Sequence, residues 1–75
     1  MDSVEEHILS FVGVLVDDPE GVIVSRIDSY PAVLEIKVSN KDFVYVNSKW
    51  NAIQTLANSL TGLADDALII KVVEK

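Results

Sequence analysis

Apolar positions open the chain at helical spacing. Val4, Ile8, Phe11, Val12 and Leu15 fall three or four residues apart and form one stripe, widened by Leu9 and Val16. Ser3 with Glu6 three residues on matches a capping box, and Asp2, Glu5 and Glu6 suit the positive end of the helix dipole. The helix is expected to end near Val16. Asp17 and Asp18 oppose its negative end, and Pro19 disfavours helical backbone in the residue before it. Gly13 weakens the helix interior, so it is expected to mark close packing of the backbone.

Asp18-Pro19-Glu20-Gly21 fits a type I turn position by position. Val22 to Ile27 is then rich in β-branched residues, and Ala32 to Val38 alternates in its second half. Leu34, Ile36 and Val38 face one way, and Glu35 and Lys37 the other. With Asp28-Ser29-Tyr30-Pro31 between them, the two strands predict an antiparallel hairpin. A short helical stretch follows from about Asn40 to Val46, entered through Ser39 with Asp42 three residues on. Asn47-Ser48-Lys49-Trp50-Asn51 is expected to interrupt it as a loop. A longer amphipathic helix then runs from about Asn51 to Leu63, with Ile53, Leu56, Ala57, Leu60 and Leu63 on one face and Gly62 near its end. Ala64-Asp65-Asp66 connects it to a strand from Ala67 to Val73. That near-continuous apolar run predicts a central, well-covered place in the sheet, or one packed against another subunit.

The order is α-β-β-α-α-β. One face of a three-stranded sheet must be covered by the helices, since nothing else can bury it. The last two strands, joined through two helices, can run parallel. The expected fold is therefore a two-layer α+β domain with a mixed sheet, a single unit over residues 1–75.

Composition narrows the function. The chain has 75 residues, no Cys, 12 acidic and 6 basic side chains, and a net charge of −6. Lack of Cys excludes disulfides, thiol catalysis and Cys-based zinc sites. No apolar run approaches the roughly 20 residues of a membrane span, and no leader is evident, so a cytoplasmic protein is expected. The acidic balance opposes a polyanionic partner unless cations are concentrated in one place.

Candidate chemistry is sparse. Asp17, Asp18 and Glu20 read as turn residues, with a hard-metal site as the lesser alternative. His7 lies near Ser10 and Glu6 on a helix surface, which provides neither a buried orienting carboxylate nor an oxyanion hole. Asp65 and Asp66 read as solvated connector residues. No phosphate loop, dinucleotide fingerprint or metalloprotease pattern occurs. Neither an enzyme nor a cofactor is expected. Trp50, in the loop, leaves three readings open: stacking on an unpaired base, anchoring a protein interface, or folding back near Ile53. Tyr45 and Phe43 could extend an interface patch, one of them being expected in the core.

Element order and local wording together resemble the small stand-alone KH-domain RNA-binding proteins of bacteria. The matching stretches are Leu15-Val16-Asp17-Asp18-Pro19-Glu20, Val33 to Val38, Lys41-Asp42 and Leu68 to Val73, which together span nearly the whole chain. The resemblance implies a type II KH domain, in which an N-terminal α-β precedes a β-α-α-β core. It also implies single-stranded RNA as ligand, and self-association or pairing with a second RNA-binding protein. Family members carry Ile-Gly-x-x-Gly between the paired helices. The corresponding positions here are Asn47, Ser48, Lys49, Trp50 and Asn51, and Ala52 replaces the basic residue that usually follows. Only Lys49 fits that pattern.

A KH loop clamps a sugar-phosphate backbone by close approach of its own backbone, which glycine permits. Ser48 and Asn51 add side chains there. The first reading is therefore a noncatalytic KH-like adaptor with weakened RNA contact, acting through protein association around Trp50 and Tyr45. The alternative is a working RNA binder with an altered loop, using Ser48, Lys49, Trp50, Asn51 and Lys41.

Overall fold

The structure, a computed structural model, describes residues 3–29, 31–61 and 68–75. The Ser3 side chain expected to cap the first helix lies outside the described parts. So do Tyr30 in the hairpin turn, Gly62 and Leu63, and the connector with Asp65 and Asp66.

Helix α1 spans Ser3–Leu15 and buries Val4, Ile8 and Val12, with Leu9 and Phe11 packed beside them. The periodic stripe thus becomes core, as its spacing requires. Pro19–Gly21 forms one 3-10 turn, held by Gly21 N–H donating to the Asp18 carbonyl at 3.1 Å. This is the type I geometry that the Asp-Pro-x-Gly order favours. Gly13 departs from expectation. A Cβ added there would have Pro19 Cβ at 3.9 Å as its nearest neighbour, an ordinary contact, so close packing does not require the glycine.

Strands β1 (Ile23–Ile27) and β2 (Ala32–Val38) pair antiparallel, with Val24 opposite Ile36 and Ile27 opposite Val33. Helices α2 (Asn40–Ser48) and α3 (Trp50–Thr61) carry the chain to β3 (Leu68–Glu74), which runs parallel to β2 with Leu34 opposite Ile70. The architecture is α+β: three helices and a three-stranded mixed sheet in the order α-β-β-α-α-β. Alternation sends Leu34, Ile36, Val38, Leu68 and Ile70 into the core, where they meet Val46, Ile53 and Ala57 from α2 and α3.

Two expectations are corrected. The sheet order is β1-β2-β3, so the apolar third strand is an edge strand, not a central one. Its run is apolar because Leu68 and Ile70 enter the core while Ile69 and Val73 take the opposite, half-buried face. The five-residue loop is also not there. α2 continues through Ser48, and α3 begins at Trp50, leaving Lys49 alone between them.

No helix among the described residues is long and apolar enough to cross a membrane.

Candidate functional site: the α2–α3 junction and the groove beside β3

The junction turns without glycine. Lys49 holds φ −99° and ψ 13°, a conformation open to any L-residue, and its N–H donates to the Val46 carbonyl at 2.9 Å. The Ser48 hydroxyl donates to the Tyr45 carbonyl at 2.5 Å, so it is committed to closing α2. Asn51 lies inside α3 and needs no left-handed backbone. The Lys49 ammonium sits 5.5 Å from the centre of the Tyr45 ring, a cation–π distance.

Lys41 is exposed in the first turn of α2. Eight residues separate it from Lys49, about 12 Å along the helix axis at 1.5 Å per residue. The two lysines therefore belong to opposite ends of α2. Of the expected aromatic patch, Phe43 packs against the core while Tyr45 is 49% exposed, with Val44 at 78% beside it.

Trp50, the first residue of α3, settles against the strand edge. Its indole Nε1–H donates to the Ile70 carbonyl at 2.6 Å, and the side chain remains 37% exposed. The Trp50 indole thus docks on β3, an arrangement that the reading of a fold-back near Ile53 did not include.

One turn further along α3, Gln54 is buried and uses both ends of its amide. Nε2 donates to the Leu68 carbonyl at 2.8 Å and to Asn58 Oδ1 at 3.1 Å, while Oε1 accepts from Ile70 N–H at 2.9 Å. The amide takes the place that a neighbouring strand would occupy on the free side of β3. Gln54 was missed from sequence. The available signal was an amide four residues after Trp50, bordering the apolar stripe of Ile53 and Ala57.

α3 therefore presents two adjacent rows beside β3. The inner row, Trp50, Gln54 and Asn58, is linked to the strand through the first two. The outer row, Asn51, Thr55 and Ser59, faces solvent. Together with Ile69 they line an open groove of about 530 Å³. Every one of these lining residues is uncharged. The Thr55 hydroxyl donates to the Asn51 carbonyl at 2.8 Å, which leaves its oxygen able to accept.

Asp42 fixes the approach to this hairpin of helices. Asp42 is buried, 5% exposed as a residue, and its carboxylate accepts from Asp17 N–H at 3.0 Å, Asp18 N–H at 3.2 Å and the Ser39 hydroxyl at 2.9 Å. The Asp17 backbone bond leads the lowering of its pKa below the ordinary 3.8; burial pushes the other way, and the Ser39 and Asp18 bonds and nearby Lys41 add to the lowering. Ser39 and Asp42 do pair, but the carboxylate reaches out to the exit of α1 in place of capping α2. Among the described residues, no three carboxylate, imidazole or thiol groups gather to hold a metal ion.

Comparison with protein-family models, curated proteins and solved structures gives no match to this chain.

Proposed function

We propose that the chain is a noncatalytic KH-like binding module of RNA-binding ancestry, with weakened RNA contact, that acts largely through protein association. One observation carries this reading. The strand edge along the groove is already satisfied by Gln54 and Trp50, so the Ile70 N–H and C=O and the Leu68 C=O are not open to a base edge. Electrostatics points the same way: the junction has one cation, Lys49, on a chain of net charge −6, so few counterions would be released by a bound phosphate backbone. The exposed side chains of Val44, Tyr45 and Trp50 around the junction give a protein partner apolar and aromatic anchors.

A second reading, single-stranded RNA binding through the altered loop, rests on the partly exposed Trp50 ring next to Lys49. Stacking of one base is worth about 1–3 kcal/mol. Filter binding to a pool of short single-stranded RNAs across a salt series separates the two. Weak retention that vanishes at physiological salt is expected. Submicromolar affinity that persists there would establish the second reading and remove the first.

A further inference from the structure

The two edges of the sheet are treated differently. Along β3, Gln54 and Trp50 satisfy the backbone at Leu68 and Ile70. β1 is the other edge, with β2 as its one neighbour in the sheet. An edge strand turns unpaired N–H and C=O groups outward, and proteins blunt such edges with proline, lysine or a bulge. β1 has neither proline nor lysine, and its five residues pair with β2 without a bulge. Its side chains add an independent signal. Among the described residues, the large apolar side chains exposed on the sheet are Ile23 and Ile27, at 47% and 44%, and both belong to this edge. Ser25 lies midway between them, on the same face, turned away from the helices.

The geometry points to β1 as a self-pairing edge: a second copy of the chain lays its β1 antiparallel to the first, about a two-fold axis at Ser25. Ile23 then stands opposite the partner's Ile27, and by symmetry this pair occurs twice. Arg26 stands opposite the partner's Val24. The neighbouring registers lack this match. Centring on Arg26 sets two guanidinium groups directly opposite, and like charges so placed destabilise a strand pair. Centring on Val24 sets Ile23 opposite the partner's Ser25 and carries Ile27 past the end of the partner's strand. The Ser25 register also lengthens a row already present. Ile69, Val33 and Ile27 stand side by side across β3, β2 and β1, and the partner's Ile23 becomes the fourth member.

Stacking of two sheet faces is the competing arrangement, and local charge opposes it. Glu35, Lys37 and Lys71 stand on that face among its aliphatic residues and would lose water between two stacked sheets. Edge pairing leaves them solvated. The product is a six-stranded sheet with β3 at both outer ends, so each α2–α3 junction lies on the side away from the pairing edge. The pairing therefore does not rest on the junction contact, and larger species formed through the junction build on this dimer.

The chain has no cysteine, so one introduced thiol reports one contact. Ser25→Cys places it at the axis, and Thr55→Cys, exposed on α3, is the control for random collision. Under a mild oxidant the disulfide-linked dimer of Ser25→Cys should form at least about tenfold faster than that of Thr55→Cys, because pairing raises the local thiol concentration. Register is read by charge exchange in sedimentation equilibrium. Ile23→Glu and Ile27→Lys should each weaken the dimer about tenfold, since two symmetry-related pairs are lost together. The double variant sets Glu against Lys in both pairs and should return to within about threefold of the parent. Positions 23 and 27 are roughly 13 Å apart along one strand, so this rescue comes from pairing between chains.

Tyr45→Glu should leave the Ser25→Cys linkage unchanged. Its loss there would assign the contact to the junction and overturn the edge pairing. Equal linkage rates for the two thiols, or a double variant that pairs no better than the single ones, would overturn it as well.

Discussion

Single residues show how far a spacing rule reaches. Ser39 and Asp42 have capping-box spacing, and they do bond to each other. No rule of local sequence reveals that the carboxylate also accepts from Asp17 and Asp18, which are more than 20 residues earlier. That pairing sets a pH dependence. The folded pKa of Asp42 lies below its ordinary 3.8, so its contribution to stability is complete above about that pH and is lost as pH falls through the lower folded value. Urea unfolding of the parent and of Asp42→Asn across an acid series should show a steeper loss in the parent. Parallel curves would mean that the carboxylate contributes nothing as an ion. Gly13 carries a second prediction at this scale. With Pro19 Cβ 3.9 Å from an added methyl, Gly13→Ala has room and should stabilise the chain by about 0.5–1 kcal/mol through helix propensity. A lower urea midpoint would instead place a clash there.

Elements were legible where period and turn chemistry agreed. α1, the hairpin and β2 follow directly from the stripe, the Asp-Pro-Glu-Gly turn and the alternation of Leu34, Ile36 and Val38. The junction was not. Asn47 to Asn51 carries polar, turn-favouring residues, and only the structure shows them absorbed into two helix ends around Lys49. The place of β3 was hidden for another reason. An edge strand covered along its free side by a helix can be as apolar as a central one, and composition cannot distinguish them. Gln54 is what makes that cover complete. Gln54→Ala should cost about 1–3 kcal/mol, since it strands a buried N–H and a buried carbonyl on β3. Trp50→Phe keeps a ring but loses one donor, and should cost about 0.5–1.5 kcal/mol. Denaturant midpoints of the two variants check this order. If Trp50→Phe proves the more damaging, the indole and not the amide is the main fastening of α3 to the strand.

At the scale of the whole molecule, charge governs which associations can persist. Two copies, each of net charge −6, repel. Screening length falls to roughly 10 Å at 0.1 M salt, comparable with the 11.4 Å radius of gyration. Added salt should therefore strengthen any self-association that buries Val44, Tyr45 and the Trp50 ring, because burial of apolar surface is unaffected by screening while repulsion is weakened. A basic partner should behave in the opposite sense, binding most tightly at low salt. The two signs make association readable without knowing the partner. Sedimentation velocity of the chain alone, at low and at physiological salt, should show the larger species gaining with salt. Tyr45→Glu should abolish it, since this places a like charge in the contact while leaving the core intact: Tyr45 is half exposed, its ring meets only the Lys49 ammonium among the described charged groups, and the backbone carbonyl that accepts from Ser48 is kept. Self-association that declines as salt rises would mean that ion pairs hold the contact and that the aromatic patch does not. Association unchanged in Tyr45→Glu would place the interface elsewhere on the molecule.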